Sequence, residues 1–291
     1  MKFRLFSISL LALILPLLAP SANADGVSLG SAGAFAVLAG SAVTNTGSSV
    51  ILTGDLGVSP GTAISGFPPG IVTAPGTIEN STAVALLAQT NLTTAYNTLA
   101  GESATKVLTG TDLGGLTLTP GVYFFATSAQ LTGTLTLNAE GLPNATWVFQ
   151  IGSTLTTASS SVVSIINPGA NDSLYWQVGS SATLGTTTDF EGNIVALTSI
   201  TMNTGATDEC GRILARNGAV TLDNNTISTG CQDVTGEGSS GGLSGGTSGT
   251  TGGGGGGTVG VPEPASIALL LAGLLPLGLF KLRKSRTTQP V

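Results

Sequence analysis

The sequence predicts a mainly β protein, a stacked β-solenoid with one long α-helix beside it. Four short segments begin with Thr, followed by one aliphatic residue and then small polar residues, and they start at Thr154, Thr183, Thr201 and Thr221. Because side chains alternate across a strand, the aliphatic residue would point inward and its neighbours outward. Short strands at loosely constant spacing are more typical of a solenoid than of a sandwich.

Two aromatic-rich segments, 147–151 and 175–179, each come shortly before one of these Thr segments. This order predicts that an aromatic strand forms one wall of a coil and a Thr-rich strand the next. Charged residues make up 8% of the chain and aromatic residues 5%, whereas there are 43 glycines. A chain with so few large rings has to stack small residues in regular layers, which agrees with a coiled arrangement.

One segment, residues 79–100, has the periodicity of an α-helix. Its apolar residues recur at steps of three and four: Val84, Leu87, Ala88, Leu92, Ala95, Tyr96 and Leu99. Asn80 or Ser81 can cap its start, and Gly101 can end it. A single helix with one apolar stripe has to lie along a flat surface, and the side of the solenoid is the expected partner.

Composition excludes several kinds of function. The formal net charge is −6, so a nucleic-acid partner is not expected. The chain has no histidine, which removes Ser-His-Asp and Cys-His catalysis and the commonest zinc ligand. We therefore expect a protein that is not an enzyme and that has no cofactor and no metal.

A polysaccharide lyase or hydrolase is one alternative, because solenoids often carry such activities. Asp189 and Glu191 would be its acid and base. They are two residues apart and no Lys, Arg or His cluster accompanies them, so a pair of solvated acids is the favoured interpretation.

The ends of the mature domain carry export signals and the cysteines. Residues 1–24 have a basic start, an apolar run and an A-x-A cleavage site, which predict a signal peptide. The mature domain would cover residues 25–235, followed by a Gly/Ser/Thr-rich linker over 236–260. In an exported chain the two cysteines, Cys210 and Cys231, are expected to form one disulfide.

The last segment, residues 261–291, begins with Val-Pro-Glu-Pro, continues with an apolar helix over 265–280 and ends in a basic tail. It resembles the PEP-CTERM sorting signal of Gram-negative bacteria. The resemblance implies that Pro262, Glu263 and Pro264 are sorting determinants. It also implies an exosortase-type processing enzyme as partner, transient membrane anchoring through the helix, and delivery to the cell surface or extracellular matrix.

A second resemblance covers residues of about 28–229. The segments that carry it are, in chain order, Leu29–Gly40, Thr53–Gly61, Leu92–Tyr96, Leu118–Tyr123, Ala145–Ile151, Trp176–Ala182, Gly192–Ile194 and Asn217–Leu222. Together they resemble the bacterial and fungal ice-binding β-solenoid family. This resemblance implies an irregular, discontinuous solenoid of triangular section with the helix packed alongside. It also implies adsorption to ice through one flat face, with a loose Thr-Ala/Gly-x-Thr/Asn pattern that residues 204–207 match.

A wall of threonines suits such a function. Each Thr offers a methyl group and a hydroxyl that both donates and accepts, and rows repeat at about 4.8 Å between strands and about 6.7 Å along a strand. Such a wall holds ordered water where charges are absent. The expected array consists of small polar residues in and after the repeats: Thr154, Thr156, Ser159, Thr183, Thr186, Thr201, Asn203, Thr204, Thr207 and Thr221. Asp189, Asp208 and Asp223 lie close to the repeats and would interrupt part of it.

The main alternative is a structural or adhesive protein of the extracellular matrix, without ice activity and with exopolysaccharide as its partner. The sorting signal favours this alternative, since such signals occur on proteins of exopolysaccharide-producing cells. The two functions can coexist in one chain. A monomer is expected, as is typical of the fold.

Overall fold

The computed structural model describes residues 27–230, and the fold is given for these residues. The predicted signal peptide, the linker, the sorting signal and Cys231 lie outside the described residues and stay predictions. Within the described range, no helix is both long and apolar enough to cross a membrane.

The described chain begins with a short 3-10 helix, Gly30–Ala34, and seven strands. These are β1 (Phe35–Ala39), β2 (Ala42–Thr46), β3 (Val50–Thr53), β4 (Asp55–Val58), β5 (Ala63–Ser65), β6 (Ile71–Val72) and β7 (Ile78–Asn80). The helix α1 (Ala83–Gly101) follows. The remaining strands are β8 (Lys106–Val107), β9 (Thr117–Leu118), β10 (Gly121–Phe125), β11 (Ala129–Leu131), β12 (Thr134–Asn138), β13 (Thr146–Ile151), β14 (Leu155–Thr157), β15 (Val162–Ile166), β16 (Ser173–Val178), β17 (Ala182–Leu184), β18 (Asp189–Phe190), β19 (Asn193–Ala196), β20 (Ile200–Met202), β21 (Thr207–Asp208), β22 (Arg212–Ala215), β23 (Val220–Asp223) and β24 (Thr226–Ser228).

The strands form three parallel sheets that the chain visits in turn. Sheet A has the order β7-β4-β1-β22-β19-β16-β13-β10-β8, sheet B the order β11-β14-β17-β20-β23-β2-β5, and sheet C the order β6-β3-β24-β21-β18-β15-β12-β9. Each pass through A, B and C makes one coil that stacks on another coil. The prediction of a mainly β fold with one helix is confirmed, and each aromatic strand of sheet A is followed by a Thr-rich strand of sheet B.

The coils do not stack in chain order. The N-terminal strands β1, β2 and β3 pair with β22, β23 and β24, which belong to the last coil. Residues far apart in sequence thus become neighbours, and the hydroxyl of Thr44 donates to that of Thr221 at 3.3 Å. We call the contact between these two sets of coils the junction.

Aromatic rings stiffen the interior where the coils stack. Tyr123, Phe149 and Trp176 occupy successive positions of sheet A, with ring centroids 5.3 and 4.1 Å apart. Phe190 from sheet C continues this column at 5.0 Å from Trp176. Close-packed rings at fixed register hold neighbouring coils in one geometry.

Helix α1 covers the outer face of sheet A, as predicted. Two hydrogen bonds anchor it: Gln89 Nε2 donates to the carbonyl of Ala215 at 3.2 Å, and Gln150 Nε2 donates to that of Leu99 at 2.7 Å. The buried apolar residues of the helix and of sheet A form one cluster, which includes Ala85, Ala88, Leu92, Ala95, Leu99, Val122, Val148, Tyr175, Val195 and Leu214.

The predicted start of this helix, residue 79, is wrong. Residues 78–80 form β7, which pairs with β4, so strand pairing overrides the helical periodicity there. The helix begins at Ala83 and is capped by Thr82, whose hydroxyl accepts from the amide of Ala85 at 3.2 Å. Val84 and Leu87, expected in the buried stripe, are 50% and 55% exposed.

One buried residue connects three coils at the corner between sheets B and C. The amide group of Asn225 donates to the carbonyls of Asn203 at 3.0 Å and Ala206 at 2.9 Å. Its carbonyl accepts from the amide of Asp223 at 2.6 Å, and its own backbone amide donates to Ser49 Oγ at 2.9 Å. The side chain of Asn225 therefore braces the last coil against the coil before it, and its backbone amide adds a bond across the junction.

Asn225→Ala removes these side-chain bonds, so that in a buried corner the carbonyl of Ala206 and the amide of Asp223 lose their Asn225 partner, while the carbonyl of Asn203 keeps only its bond from the amide of Ala206. We expect the free energy of unfolding to fall by about 2–4 kcal/mol, measured by urea denaturation. Asn217→Ala, a change of the same kind at an exposed turn, should alter it by less than about 0.5 kcal/mol. Equal effects of the two substitutions would contradict a bracing role for Asn225.

Candidate functional site

The outer face of sheet A is covered by the helix, whereas the outer faces of sheets B and C are open. In sheet B each strand has one outward-pointing residue that the parallel pairing aligns with those of the neighbouring strands, so that these residues form one line. We call this line the sheet-B row; in order across the sheet it consists of Gln130, Thr156, Thr183, Thr201, Thr221, Thr44 and Ser65. Five adjacent strands thus present threonine in register, at about 4.8 Å from strand to strand.

On β14, β17, β20 and β23 the residues on either side of the row position are buried. These residues are Leu155 and Thr157, Ala182 and Leu184, Ile200 and Met202, and Val220 and Leu222. The prediction that the aliphatic residue of each Thr segment points inward is confirmed. Because every second residue is anchored in a packed interior, the outward threonines have little freedom to move.

The first Thr segment is offset from the other three. Thr156 pairs with Thr183, whereas the segment starts at Thr154. Thr154 lies on the same face one step along the strand and donates to Ser128 Oγ at 2.9 Å. A shift of two residues keeps the inward and outward pattern unchanged, so side-chain alternation in the sequence cannot reveal it.

Four further residues of the expected array lie on turns after the sheet-B strands, outside the row: Ser159, Thr186, Asn203 and Thr204. They border the row at the corner with sheet C. Thr204 is exposed, and its hydroxyl donates to the carboxylate of Asp223.

Thr207 lies on the other wall. It belongs to β21 in sheet C, and its hydroxyl donates to Asp189 Oδ1 at 3.2 Å. Ala206 is buried, so residues 204–207, which match the loose pattern, turn a corner instead of lying flat. The expected residues therefore do not form a single array: Thr156, Thr183, Thr201 and Thr221 share the row.

Sequence analysis missed three members of the row, Thr44, Ser65 and Gln130. Gln130 comes from the first complete coil after the helix, and the other two come from the N-terminal coils. Alternation around Thr44 indicates an outward position in a strand. Nothing in the local sequence shows that this strand stacks on β23.

Sheet C is less uniform. Its corresponding outward line, in order across the sheet, is Thr134, Val162, Asp189, Thr207, Thr226, Val50 and Ile71. A carboxylate stands in the middle of this line, and bulky aliphatic residues occupy three of its positions. The sheet-B row contains no charged side chain, although Asp112 pairs with Gln130 at its end and Asp223 lies beside it.

Two acids near sheet C lie in unusual environments. Asp208 is fully buried, and burial raises its pKa well above the ordinary value, with a further contribution from the charge of Glu191; Arg212 and the backbone amides of Cys210 and Gly192 oppose this rise. Burial, together with the charges of Asp189 and Glu209, raises the pKa of Glu191 to about 7. The interpretation of Glu191 as a solvated acid is therefore wrong.

These acids do not form a recognisable catalytic or metal centre. Arg212 lies nearby, but it donates to the carbonyl of Gly33 at 2.9 Å and to Asn193 Oδ1 at 3.0 Å. Across residues 27–230 no group of three or more His, Cys, Asp or Glu side chains is placed to hold a metal ion. A cavity of about 260 Å³ lies elsewhere, at the end of sheet B beside Asp112 and Gln130.

Three parallel sheets, one of them with an open outer face that carries a Thr-rich row without charged side chains, define a protein that presents a regular surface. Residues 37–228 match the family described as Ice-binding-like, and the chain belongs to this family.

Relatives and solved structures agree with this assignment. The chain is 54% identical over 257 residues to an ice-binding protein of Nostoc sp. (strain HG1), covering 88% of this chain and 86% of the relative. It is 34% identical to an ice-binding protein of Colwellia sp., covering 72% and 85%. An ice-binding protein structure from an Antarctic biological consortium matches with a TM-score of 0.66 and 50% identity, over 70% of this chain and 90% of that one. One from Antarctomyces psychrotrophicus has a TM-score of 0.66 and 40% identity, over 72% and 99%.

The two buried acids predict that stability depends on pH. A pKa raised in the folded state means that the folded protein holds its proton more tightly than the unfolded chain does. The stability that protonated Glu191 contributes is fully present below its ordinary pKa of 4.5 and is lost once the pH passes about 7. The raised pKa of Asp208 extends this loss of stability to higher pH. We expect the free energy of unfolding to be lower at pH 8 than at pH 5 by on the order of 2 kcal/mol. Thermal unfolding should therefore occur at a lower temperature at pH 8.

Glu191→Gln should reduce this pH dependence, because the amide does not ionise. Glu140→Gln, the same change at an exposed turn, should leave it unaltered. Identical pH profiles for the wild type and Glu191→Gln would show that Glu191 is not responsible.

Proposed function

We propose that this domain binds ice by adsorbing through the outer face of sheet B. The observation that carries the proposal is the sheet-B row, in which Thr156, Thr183, Thr201, Thr221 and Thr44 stand in register on five adjacent strands. Membership of the ice-binding family and 54% identity to a protein named for ice binding support it.

The geometry of this face suits an ordered layer of water. Each row residue offers one methyl group and one hydroxyl, repeated at about 4.8 Å from strand to strand. Each contact with the lattice is weak, but a wall held by packed layers loses little conformational entropy on binding, so many contacts act together. The open face of sheet C lacks this regularity because Asp189 and the large residues Val162 and Ile71 break its outward line.

The exported, surface-located form of the protein is part of the same proposal. We propose that the three sheets are the walls of a discontinuous β-solenoid of triangular section, and that Cys210 and Cys231 close its last coil. The predicted signal peptide and sorting signal support export, exosortase-type processing, transient membrane anchoring and a location at the surface of a Gram-negative cell. An ice-binding domain meets ice outside the cell, which agrees with this location.

A matrix protein that binds exopolysaccharide without ice activity is less well supported. Sugar rings stack on exposed aromatic faces, and no Phe, Tyr or Trp within residues 27–230 is fully exposed. The side chains of Trp147, Trp176 and Tyr175 are wholly buried. Within the described residues, this kind of stacking surface therefore gives no support to the alternative.

The proposal is tested by placing a bulky ring in the row. Thr201→Tyr and Thr44→Tyr should each lower ice recrystallisation inhibition by about tenfold in effective protein concentration, because the ring holds the lattice away from neighbouring threonines. Thermal hysteresis of the purified protein should fall in parallel. The Thr44 variant also tests whether the row continues across the junction, because Thr44 comes from the N-terminal coils.

Thr207→Tyr and Thr226→Tyr provide the matched controls, since both residues lie in the outward line of sheet C. They should retain wild-type activity, and thermal unfolding should confirm that all four variants are folded. Loss of activity in the sheet-C variants, with retention in the sheet-B variants, would show that ice binds to sheet C and not to sheet B. A folded wild type without ice activity would refute the function itself.

A further inference from the structure

One carboxylate shares the outer face of sheet B with the row. Asp223 follows Thr221 by two residues on β23, so both side chains point to the same side of the strand. Its neighbour across the junction is the exposed Thr46 of β2. Along the strand it therefore lies about 6.7 Å from the row, within the area that a lattice seated on Thr221 would cover.

Hydrogen bonds hold this carboxylate in place. It accepts from the hydroxyl of Thr204 and from Asn224 Nδ2, the latter at 2.8 Å. Asn224 in turn accepts from the backbone amide of Ser48 at 2.9 Å, so the group is fixed to coils on both of its sides. These donors are neutral, and the side chain is only partly buried, so the charge keeps its own shell of oriented water.

We infer that Asp223 limits the ice affinity of the sheet-B face, and that a neutral side chain at this position strengthens adsorption. Water around a carboxylate points its hydrogens at the charge, which a lattice with its own fixed orientations cannot match. Ice that spreads from Thr221 toward the corner has either to remove this water, which costs free energy, or to stop short of the corner, which reduces the contact area. Both outcomes weaken adsorption.

The structure also indicates why an acid is tolerated there. Asp223 supplies the acceptor for Thr204 and orders the corner next to Asn225, which braces the last coil against the coil before it. An amide oxygen can fill the acceptor role without the charge. Asparagine therefore separates the two roles of the residue, the hydrogen bond and the charge.

The inference rests on the proposed ice-binding function, and the test compares Asp223→Asn with the wild type in the full mature chain. Ice recrystallisation inhibition is measured against protein concentration, together with thermal hysteresis. We expect Asp223→Asn to reach half-maximal inhibition at about fivefold lower concentration than the wild type. Asp189→Asn is the matched control, because Asp189 is exposed on sheet C and accepts from Thr207 in a similar way; its activity should be unchanged.

The outcomes separate the inference from the function on which it rests. An inactive, folded wild type refutes ice binding. An active wild type with equal or lower activity in folded Asp223→Asn overturns the role given to Asp223 and leaves ice binding intact. An equal gain in both variants also overturns it, because total charge would then be the cause. Asp223→Ser, which is small and neutral, replaces Asp223→Asn in each comparison if the latter lowers the unfolding temperature.

Discussion

The junction between the N-terminal coils and the last coil is the contact on which the rest of the structure depends. Three parallel strand pairs form it together, one in each sheet. Gly218 O accepts from the amides of Gly40 and Ser41, each at 3.0 Å, and a Cβ at Gly40 would lie 2.5 Å from Arg216 O. Such distant segments meet at a large entropic cost of loop closure, which the pairing in three sheets at once offsets. The junction therefore has to form as a unit.

Two features of the fold follow from this junction. After β7 the chain has to return along sheet A to begin β8 at the opposite edge, and the nine strands of that sheet span about 38 Å. The 19-residue helix covers about 28 Å of this distance and buries the outer face of sheet A on the way. The second feature is the sheet-B row itself, because Thr44 and Ser65 join it only through β2 and its pairing with β23.

Periodicity in the sequence predicted most of the fold. It failed where pairing between segments far apart in the chain determines the position of a residue. Alternation placed Leu155, Leu184 and Met202 inside correctly, and the order of aromatic and Thr-rich strands matched the order of sheets. It could not place Thr44 beside Thr221, because their pairing depends on the stacking of whole coils. The helix start failed for a similar reason, since residues 78–80 are held by β4. Thr207 was grouped with residues that lie on another wall, because nothing in a short motif marks a corner.

The side chains on the two open walls explain why the proposed ice-binding surface lies on sheet B and not on sheet C. Sheets B and C are both open and built from the same kind of short strand, so strand geometry alone does not distinguish them. The side chains of the outward lines do: Asp189 stands in the outward line of sheet C, and burial together with the charges of Asp189 and Glu209 raises the pKa of the nearby Glu191. Ordered water is favoured on the wall without these charges and opposed on the wall that carries them. If the proposed function holds, preference for the sheet-B face thus arises from five threonines in register, in place of the carboxylate and the bulky aliphatic residues that interrupt the outward line of sheet C.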